Sequence, residues 1–424
     1  MKKTLLPLLT LVLGFSSSAW AQDGLAGKAQ LQAQPNQTYQ INAFSADAAG
    51  VKCESCVFDG AYLVVGKDTV ALKADEHSDL IVALAVLPSK QEAITFHSGN
   101  TKGLLSFDFF KTSGTKIPAK KGATLRVGDG DCTFDVIPTS VWRAGLAEPT
   151  WGTTYTKTEN IAVHHGAGGV TISTYEQGLA TIRQYYLLHR NTNDWGDIGY
   201  NYLIGPDGSI FQGREVTPDK TYTSDYIMGA HLCSMNSNSM GICIMGDYTN
   251  LLPSAKALES LYKIIKWKAK KDNIDINGTD LHPNTPTSTR PQNRIPTIIG
   301  HREGPCATAC PGNALYNYLF TSPTSPNRRI RTEVGNICEA PLGLTAEDMD
   351  YIVIVYPNPS NGKELKANFD YKTVSVFGLD GKQVRAAVKK SGEVLPVSGL
   401  TAGTYFFHFD TPDYGKVVRR IVIN

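Results

Sequence analysis

The chain has 424 residues, more than one ordinary hydrophobic core accommodates, so two or three domains are expected. Hydrophobic residues make up 42% and charged residues 19%, which fits a folded chain and excludes a disordered one. A formal net charge of +2 excludes a global attraction to nucleic acid or to an anionic membrane.

The first residues read as an export signal. Lys2 and Lys3 form a positive start, Leu5 to Phe15 an apolar core too short to span a bilayer, and Ala19-Trp20-Ala21 a small-x-small cleavage site. Residues 1–21 are therefore expected to be removed, with no cysteine placed for a lipid anchor. No later stretch approaches the length of a transmembrane helix. In an oxidising compartment disulfides are the default reading of Cys53, Cys56, Cys132, Cys233, Cys243, Cys306, Cys310 and Cys338. If one of the eight binds a metal, seven remain (8 − 1), so at least one thiol is left unpaired.

Residues 22–140 alternate apolar and polar in short runs such as Tyr62–Val65, Leu80–Ala83 and Leu105–Phe109. This predicts a small all-β, sandwich-like domain whose role the sequence leaves open. The Cys53-x-x-Cys56 spacing admits redox or zinc chemistry, but no second close pair accompanies it, and a structural disulfide involving Cys132 fits as well.

Residues 141–320 have a mixed texture. Ile161–Val163 reads as a short strand, followed by the glycine-rich turn Gly166 to Gly169. Ser173 or Thr174 can cap a helix carrying Leu179, Ile182, Tyr186 and Leu187 at helical spacing. Tyr200 to Phe211 reads as a β-hairpin turning at Pro206-Asp207-Gly208. A second helix is expected from Ser254 to Lys271, with the basic run Lys266 to Lys271 as a solvated face. Strands interleaved with helices predict an α/β domain with a mixed sheet flanked by helices. Residues 321–348, rich in Pro, Ser, Thr and charge, read as a linker, and residues 349–424 as a second small all-β domain. The fold class expected is thus multidomain, with a central α/β domain between two small all-β domains.

The suspicious polar residues cluster in the central region. His164 and His165 close a strand, which alone is an ordinary polar terminus. Gly300-His301-Arg302-Glu303 follows the apolar run Thr297–Ile299, and Cys310-Pro311-Gly312 comes nine residues after His301. Two His and one Cys are a valid ligand set for catalytic zinc, which keeps a fourth position open. Spacing does not pair them, since His164 and His301 are 137 residues apart (301 − 164).

Five motifs in order supply the pairing. They are the Val141-Trp142-Arg143 segment, V-H-H-x-A at Val163 to Ala167, and D-I-G-Y-N-Y-L-I-x-x-D-G-x-I-F-x-G-R at Asp197 to Arg214. G-A-H-x(4)-N-x-x-S-x-G-I at Gly229 to Ile242 and G-H-R-E…T-x-C-P-G at Gly300 to Gly312 complete the set. On these, Val141 to about Leu319 resembles the zinc amidases of the peptidoglycan recognition protein and phage lysozyme-amidase family. The resemblance implies Zn2+ held by His164, His301 and Cys310, with Tyr200 beside the metal and Thr308 stabilising an oxyanion. It implies hydrolysis of the amide joining N-acetylmuramic acid to L-alanine in peptidoglycan. His165, Arg214, His231 and Asn236 are candidate substrate contacts, with structural hydrogen bonding for the two histidines and a structural salt bridge for Arg214 as the alternatives. Family members that lack the ligand Cys bind peptidoglycan without cutting it, which defines the alternative. In the related cytoplasmic branch a Glu base follows S-x-G-I, where this chain has Cys243. The loop from His301 to Cys310 is one residue longer than usual, and its Cys306 is expected to pair with Cys233 or Cys243.

At the C-terminus, Tyr356-Pro357-Asn358-Pro359, Val374 to Lys382, Leu400 to Tyr405 and Val417 to Ile423 resemble the sorting domain of type IX secretion. That implies the type IX machinery as partner and passage across the outer membrane to the surface or the medium; the sequence does not name the wall that is cut, and scavenging or attack on other bacteria is expected.

Overall fold

The computed structural model describes residues 14–15, 24–76, 78, 80–112, 124–128, 132–166, 172–215, 225–280, 294–321, 328–338, 353–362, 365–390, 395, 397–412 and 415–424. The expected cleavage site, the glycine turn beyond Gly166 and parts of the expected linker lie outside them. Residues 1–342 form one compact unit and residues 343–424 a second.

At the centre of the first unit the strand Asn160–His165 is buried along its whole length. Parallel neighbours on both edges explain why its sequence is a near-continuous apolar run rather than an alternation. These neighbours are Ser239–Ile244 and Ile298–Gly300. The full sheet has seven strands, in the order Leu125–Val127, Phe134–Ile137, Ile210–Gln212, Tyr202–Ile204, Ser239–Ile244, Asn160–His165, Ile298–Gly300. It is mixed, because the hairpin Tyr202–Ile204 and Ile210–Gln212 and the first pair are antiparallel while the other pairings are parallel. Its first two strands come from residues expected to belong to the N-terminal domain. The central fold therefore begins before Val141.

Two long helices accompany the sheet. Tyr175–Leu187 starts at Thr174, whose side chain accepts from the Gln177 amide while Gln177 reaches back, a capping box. Ala255–Asp272 is capped by Ser254 and ends at Asn273 in the left-handed conformation. The basic run on this helix is not simply solvated. Lys268 is fully buried, paired with Asp225 and, at 2.7 Å, with Asp272, while Lys271 lies 2.9 Å from Asp225. Burial of an ammonium requires such carboxylate partners.

The expected linker also carries structure. Arg329–Asn336 is a helix whose Ile330 and Val334 are buried. Arg328 donates to the Ile298 carbonyl (2.8 Å), and Lys266 to the Gly335 carbonyl (2.8 Å), tying this segment to the sheet and the long helix. Cys338 then closes a disulfide with Cys132 across 206 residues, while Cys53 bonds to Cys56. Cys132 thus pairs with neither Cys53 nor Cys56.

The N-terminal residues form two antiparallel sheets around a shared apolar core. One contains Gly14–Phe15, Leu25–Ala33, Gly103–Phe110, Ala48–Glu54 and Val82–Val86, and the other Thr38–Asn42, Ala93–His97, Tyr62–Val65 and Asp68–Ala71. Gly14–Phe15, inside the segment read as an export signal, pairs with Lys28 and Ala29. The larger sheet is covered on both faces. Phe107 and Phe109 join the core between the sheets, whereas Ala48 and Phe110 pack with Trp142, Ile182 and Tyr186 of the central fold. Polar bonds reinforce the junction: Thr192 Oγ donates to Asp108 (2.9 Å), and buried Arg183 donates to the Thr112 carbonyl (3.0 Å).

The second unit is a four-stranded antiparallel sheet, ordered Gln383–Lys389, Thr373–Gly378, Gly403–Thr411, Gly415–Ile423, with Val355–Tyr356 paired to Lys366–Ala367. Val376, Phe407, Phe409 and Ile421 line its core. Among the described residues of the chain no helix is long and apolar enough to cross a membrane.

Candidate metal centre

Register explains how residues far apart in sequence meet. Val163 sits opposite Gly300 in the sheet, so His164 and His301 leave two adjacent parallel strands at the same end. Their rings lie 4.6 Å apart. Cys310 returns to this end after a tight turn at His301–Glu303, and its Sγ is 3.7 Å from His164 Nδ1. His164, His301 and Cys310 are all buried, with candidate ligand atoms within 4.8 Å of one another. Among the described residues this is the one His, Cys and acidic group able to hold a metal ion.

The hydrogen bonds around His164 fix which nitrogen is available. Ser239 Oγ donates to the Met235 carbonyl (2.6 Å), leaving its lone pairs to accept from His231 Nε2 (3.4 Å). His231 Nδ1 is then an acceptor, 3.0 Å from His164 Nε2. Burial, with the nearby charge of Arg214, pushes His231 down to about 3, so it is neutral and this arrangement persists at ordinary pH. His164 thus carries its proton on Nε2 and presents a bare Nδ1 towards Cys310. An oriented, neutral imidazole beside a thiol and a second His is what zinc ligation requires.

The motif glycines make room for this relay. A Cβ at Gly229 or at Gly241 would lie 2.5 Å from the His231 ring. Asn236 Oδ1 accepts the amides of His231 and Leu232 at 2.8 Å each, holding the segment in place. Of the candidate substrate contacts, His231 thus meets the candidate ligand His164, and Asn236 braces the backbone that carries His231.

Arg214 is likewise internal rather than presented to a substrate. It is 1% exposed, lies 4.3 Å over the Trp151 ring, and donates to the carbonyls of Ile198 (2.9 Å) and Trp195 (3.1 Å). The same burial raises its neighbour Asp197 to about 6 despite the attraction of the guanidinium. Next to His164, His165 is also buried. Its Nδ1 accepts the Tyr248 amide (3.1 Å), so Nε2 carries the proton, and it meets Glu76 Oε1 at 2.5 Å.

Tyr200 lies 5.2 Å from the His164 ring, is 2% exposed, and burial raises its hydroxyl well above the ordinary range. It therefore acts as a neutral hydrogen-bond donor. Cys243, at the position opposite His164, is a buried free thiol within hydrogen-bonding reach of Tyr200. Burial holds this thiol protonated.

The loop carrying Cys310 is secured at several points. Cys306 pairs with Cys233, resolving the alternative with Cys243. Arg302 donates its amide to the Cys310 carbonyl (2.9 Å), stacks 4.5 Å over Tyr316 and bonds to Asn313 (3.0 Å). Thr308 Oγ accepts the Cys310 amide (3.0 Å) and donates to Glu76 Oε2 (3.2 Å), which also accepts the Ala309 amide (2.9 Å). Glu76 was not among the residues expected at this site. It lies in a loop with no motif, 232 residues before Thr308 (308 − 76).

Residues 154–313 match the family described as N-acetylmuramoyl-L-alanine amidase, and residues 354–424 match the secretion system C-terminal sorting domain. A Drosophila simulans peptidoglycan-recognition protein SC2 is 30% identical over 160 residues, 38% of this chain and 71% of that protein. The mouse N-acetylmuramoyl-L-alanine amidase is 30% identical over 151 residues, 36% of this chain but 23% of that protein. The chain thus spans under a quarter of that relative's length. A solved Drosophila PGRP-LB structure is 24% identical, with a TM-score of 0.32, covering 42% of this chain and 87% of that one. From residue 154 to 313 the chain belongs to the N-acetylmuramoyl-L-alanine amidase family that includes the peptidoglycan-recognition proteins, and it ends in a secretion sorting domain.

Proposed function

We propose that this chain is an exported, zinc-dependent amidase that hydrolyses the bond between the lactyl group of N-acetylmuramic acid and L-alanine in peptidoglycan. The observation that carries the reading is the convergence of His164 Nδ1, His301 and Cys310, with His164 oriented through His231 and Ser239. A merely structural His pair would not need a neutral relay that leaves one nitrogen bare beside a thiol.

Bound zinc would lower the pKa of its water to roughly 7 and polarise the scissile carbonyl. The chain's own residues do the rest. Tyr200, kept protonated by burial and with its ring 5.2 Å from that of His164, would offer a neutral hydrogen-bond donor beside the ligands. Thr308, two residues before Cys310, would donate to an oxygen that gains charge once its hydroxyl leaves Glu76, a contribution of about 3 kcal/mol to the barrier. The buried strand ends and the Cys233–Cys306 staple hold these groups in place before substrate arrives.

A non-catalytic wall-binding protein is the competing reading, since relatives are named for recognition as well as for cleavage. The presence of Cys310 favours cleavage. The test is release of stem peptide from purified peptidoglycan. Zinc-loaded protein should release it, a chelator should stop the reaction and added zinc restore it, and Cys310→Ala should abolish it. Undiminished release by Cys310→Ala would refute the zinc mechanism. The sorting domain supports export by type IX secretion, and the N-terminal apolar segment supports entry to that route by a cleaved signal.

A further inference from the structure

Three donors flank the metal ligands and converge on one carboxylate. His165 follows His164, and Thr308 and Ala309 immediately precede Cys310. Glu76 Oε1 takes His165 Nε2–H, and Glu76 Oε2 takes the Thr308 hydroxyl and the Ala309 amide. A cradle of one imidazole N–H, one hydroxyl and one backbone N–H is complementary to an anion, and charge-assisted bonds of this kind are the strong ones. Glu76 does not come from the amidase fold. It sits between Asp68–Ala71 of the smaller N-terminal sheet and Val82–Val86 of the larger. Buried Leu72 anchors one side of its loop, and the Asp75 amide bonded to the Val82 carbonyl (2.7 Å) anchors the other. Docking of the larger sheet on the helix Tyr175–Leu187 fixes where this loop is delivered. The Glu76 side chain remains 23% exposed, so water and solutes reach it.

The contacts carry a consequence for Thr308. While its proton is donated to Glu76, it has none to give to a substrate oxygen. On the amidase reading, on which this step rests, the group best placed to stabilise an oxyanion is already holding an anion. We propose that Thr308, Ala309 and His165 form an anion-binding subsite beside the metal ligands, that Glu76 fills it in cis, and that an anionic group of the substrate must displace Glu76 to use it. That group is either a carboxylate of the peptide or the oxyanion that develops at the scissile carbon. The N-terminal domain is thereby a brake on the site it adjoins.

Glu76→Ala and the isosteric Glu76→Gln, both in the full chain with zinc, test this. The substrates are a soluble muramoyl-peptide with free carboxylates and its amidated counterpart. Removing the internal competitor should raise kcat/KM about tenfold, the worth of about one charge-assisted hydrogen bond. A lower KM confined to the free-carboxylate substrate identifies a peptide carboxylate as the ligand. A higher kcat with both substrates identifies the oxyanion. An unchanged or lower kcat/KM in both variants overturns the proposal.

A second readout needs no catalysis. Hydrogen exchange at the Ala309 amide should quicken in Glu76→Ala and slow again when N-acetylmuramic acid, which bears a lactyl carboxylate, is added. Exchange that ignores the substitution overturns the cradle itself. If the unaltered protein proves inactive with zinc while exchange responds as expected, the amidase reading fails and the anion subsite stands.

Discussion

At the scale of single residues, the centre depends on which atom of each imidazole carries a proton. His164 and His165 are adjacent in sequence, yet successive side chains on a strand point to opposite faces, and only His164 reaches Cys310. Spacing marks both without separating them, and only the family resemblance singles out the first as the expected ligand. His231 illustrates the limit of a motif more sharply. Its place in G-A-H was legible, but its work was not, because a sequence does not show that its Nδ1 meets His164 Nε2 at 3.0 Å. Replacing His231 by Phe keeps a ring of similar size and removes the acceptor. Zinc affinity, measured by competition with a chromophoric chelator, should fall about 10- to 100-fold, as for other partners of ligating histidines. Unchanged affinity would show that the ligand needs no such orientation. Glu76 lay beyond any residue-level reading, since an acidic side chain in an apolar-polar alternation looks like ordinary solvated surface.

At the scale of elements, periodicity and capping signals were dependable where packing agreed with local preference. Thr174 and Ser254 begin the two helices at the expected places, and Pro206-Asp207-Gly208 turns the hairpin with Gly208 at a φ of 83°. They failed where tertiary partners decide. Lys268 belongs to a charge run that reads as surface, and its carboxylate partners, Asp225 from another segment and Asp272 one turn on, make its burial tolerable. The His301–Cys310 loop is similar. Its length and its cysteine were visible, but the choice of Cys233 over Cys243 follows from Cys243 lying within the buried strand Ser239–Ile244. The Cys233–Cys306 bridge spans 73 residues and holds the loop beside the strand ends. Replacing both cysteines by Ser should cost about 2–4 kcal/mol in chemical unfolding, with a steeper slope because the unfolded chain without the bridge exposes more surface. Metal affinity should weaken in parallel, because the loop would then order on binding. Lost stability with unchanged metal affinity would show that the contacts of Arg302 and those of Thr308 and Ala309 with Glu76 suffice to hold the loop.

At the scale of the molecule, texture separated the regions but misplaced their seams. Composition reads Pro, Ser and charge from 321 onward as a linker, yet Arg329–Asn336 packs through Ile330 and Val334, and Cys338 bonds to Cys132. Likewise Leu125–Val127 and Phe134–Ile137 look like the end of an all-β domain and instead extend the central sheet. Neither seam is legible locally, because a strand or a cysteine carries no mark of a partner that is distant in sequence. The distinction matters for how the chain is cut. A protein ending at Leu342 keeps the whole first unit, whereas one ending at Phe320 loses the helix, the Arg328 bonds to Ile298 and Glu303, and the disulfide. The disulfide alone closes 206 residues, worth about 5 kcal/mol by loop entropy, the same order as the whole stability of many domains. Ending at Leu342 should therefore leave zinc-dependent release of stem peptide and the unfolding midpoint of this unit unchanged. Ending at Phe320 should lower that midpoint sharply and reduce the yield of folded protein. Equal stability of the two truncations would mean that the segment after Phe320 is an appendage, and that the strand Ile298–Gly300, which leads into His301, holds its place without it.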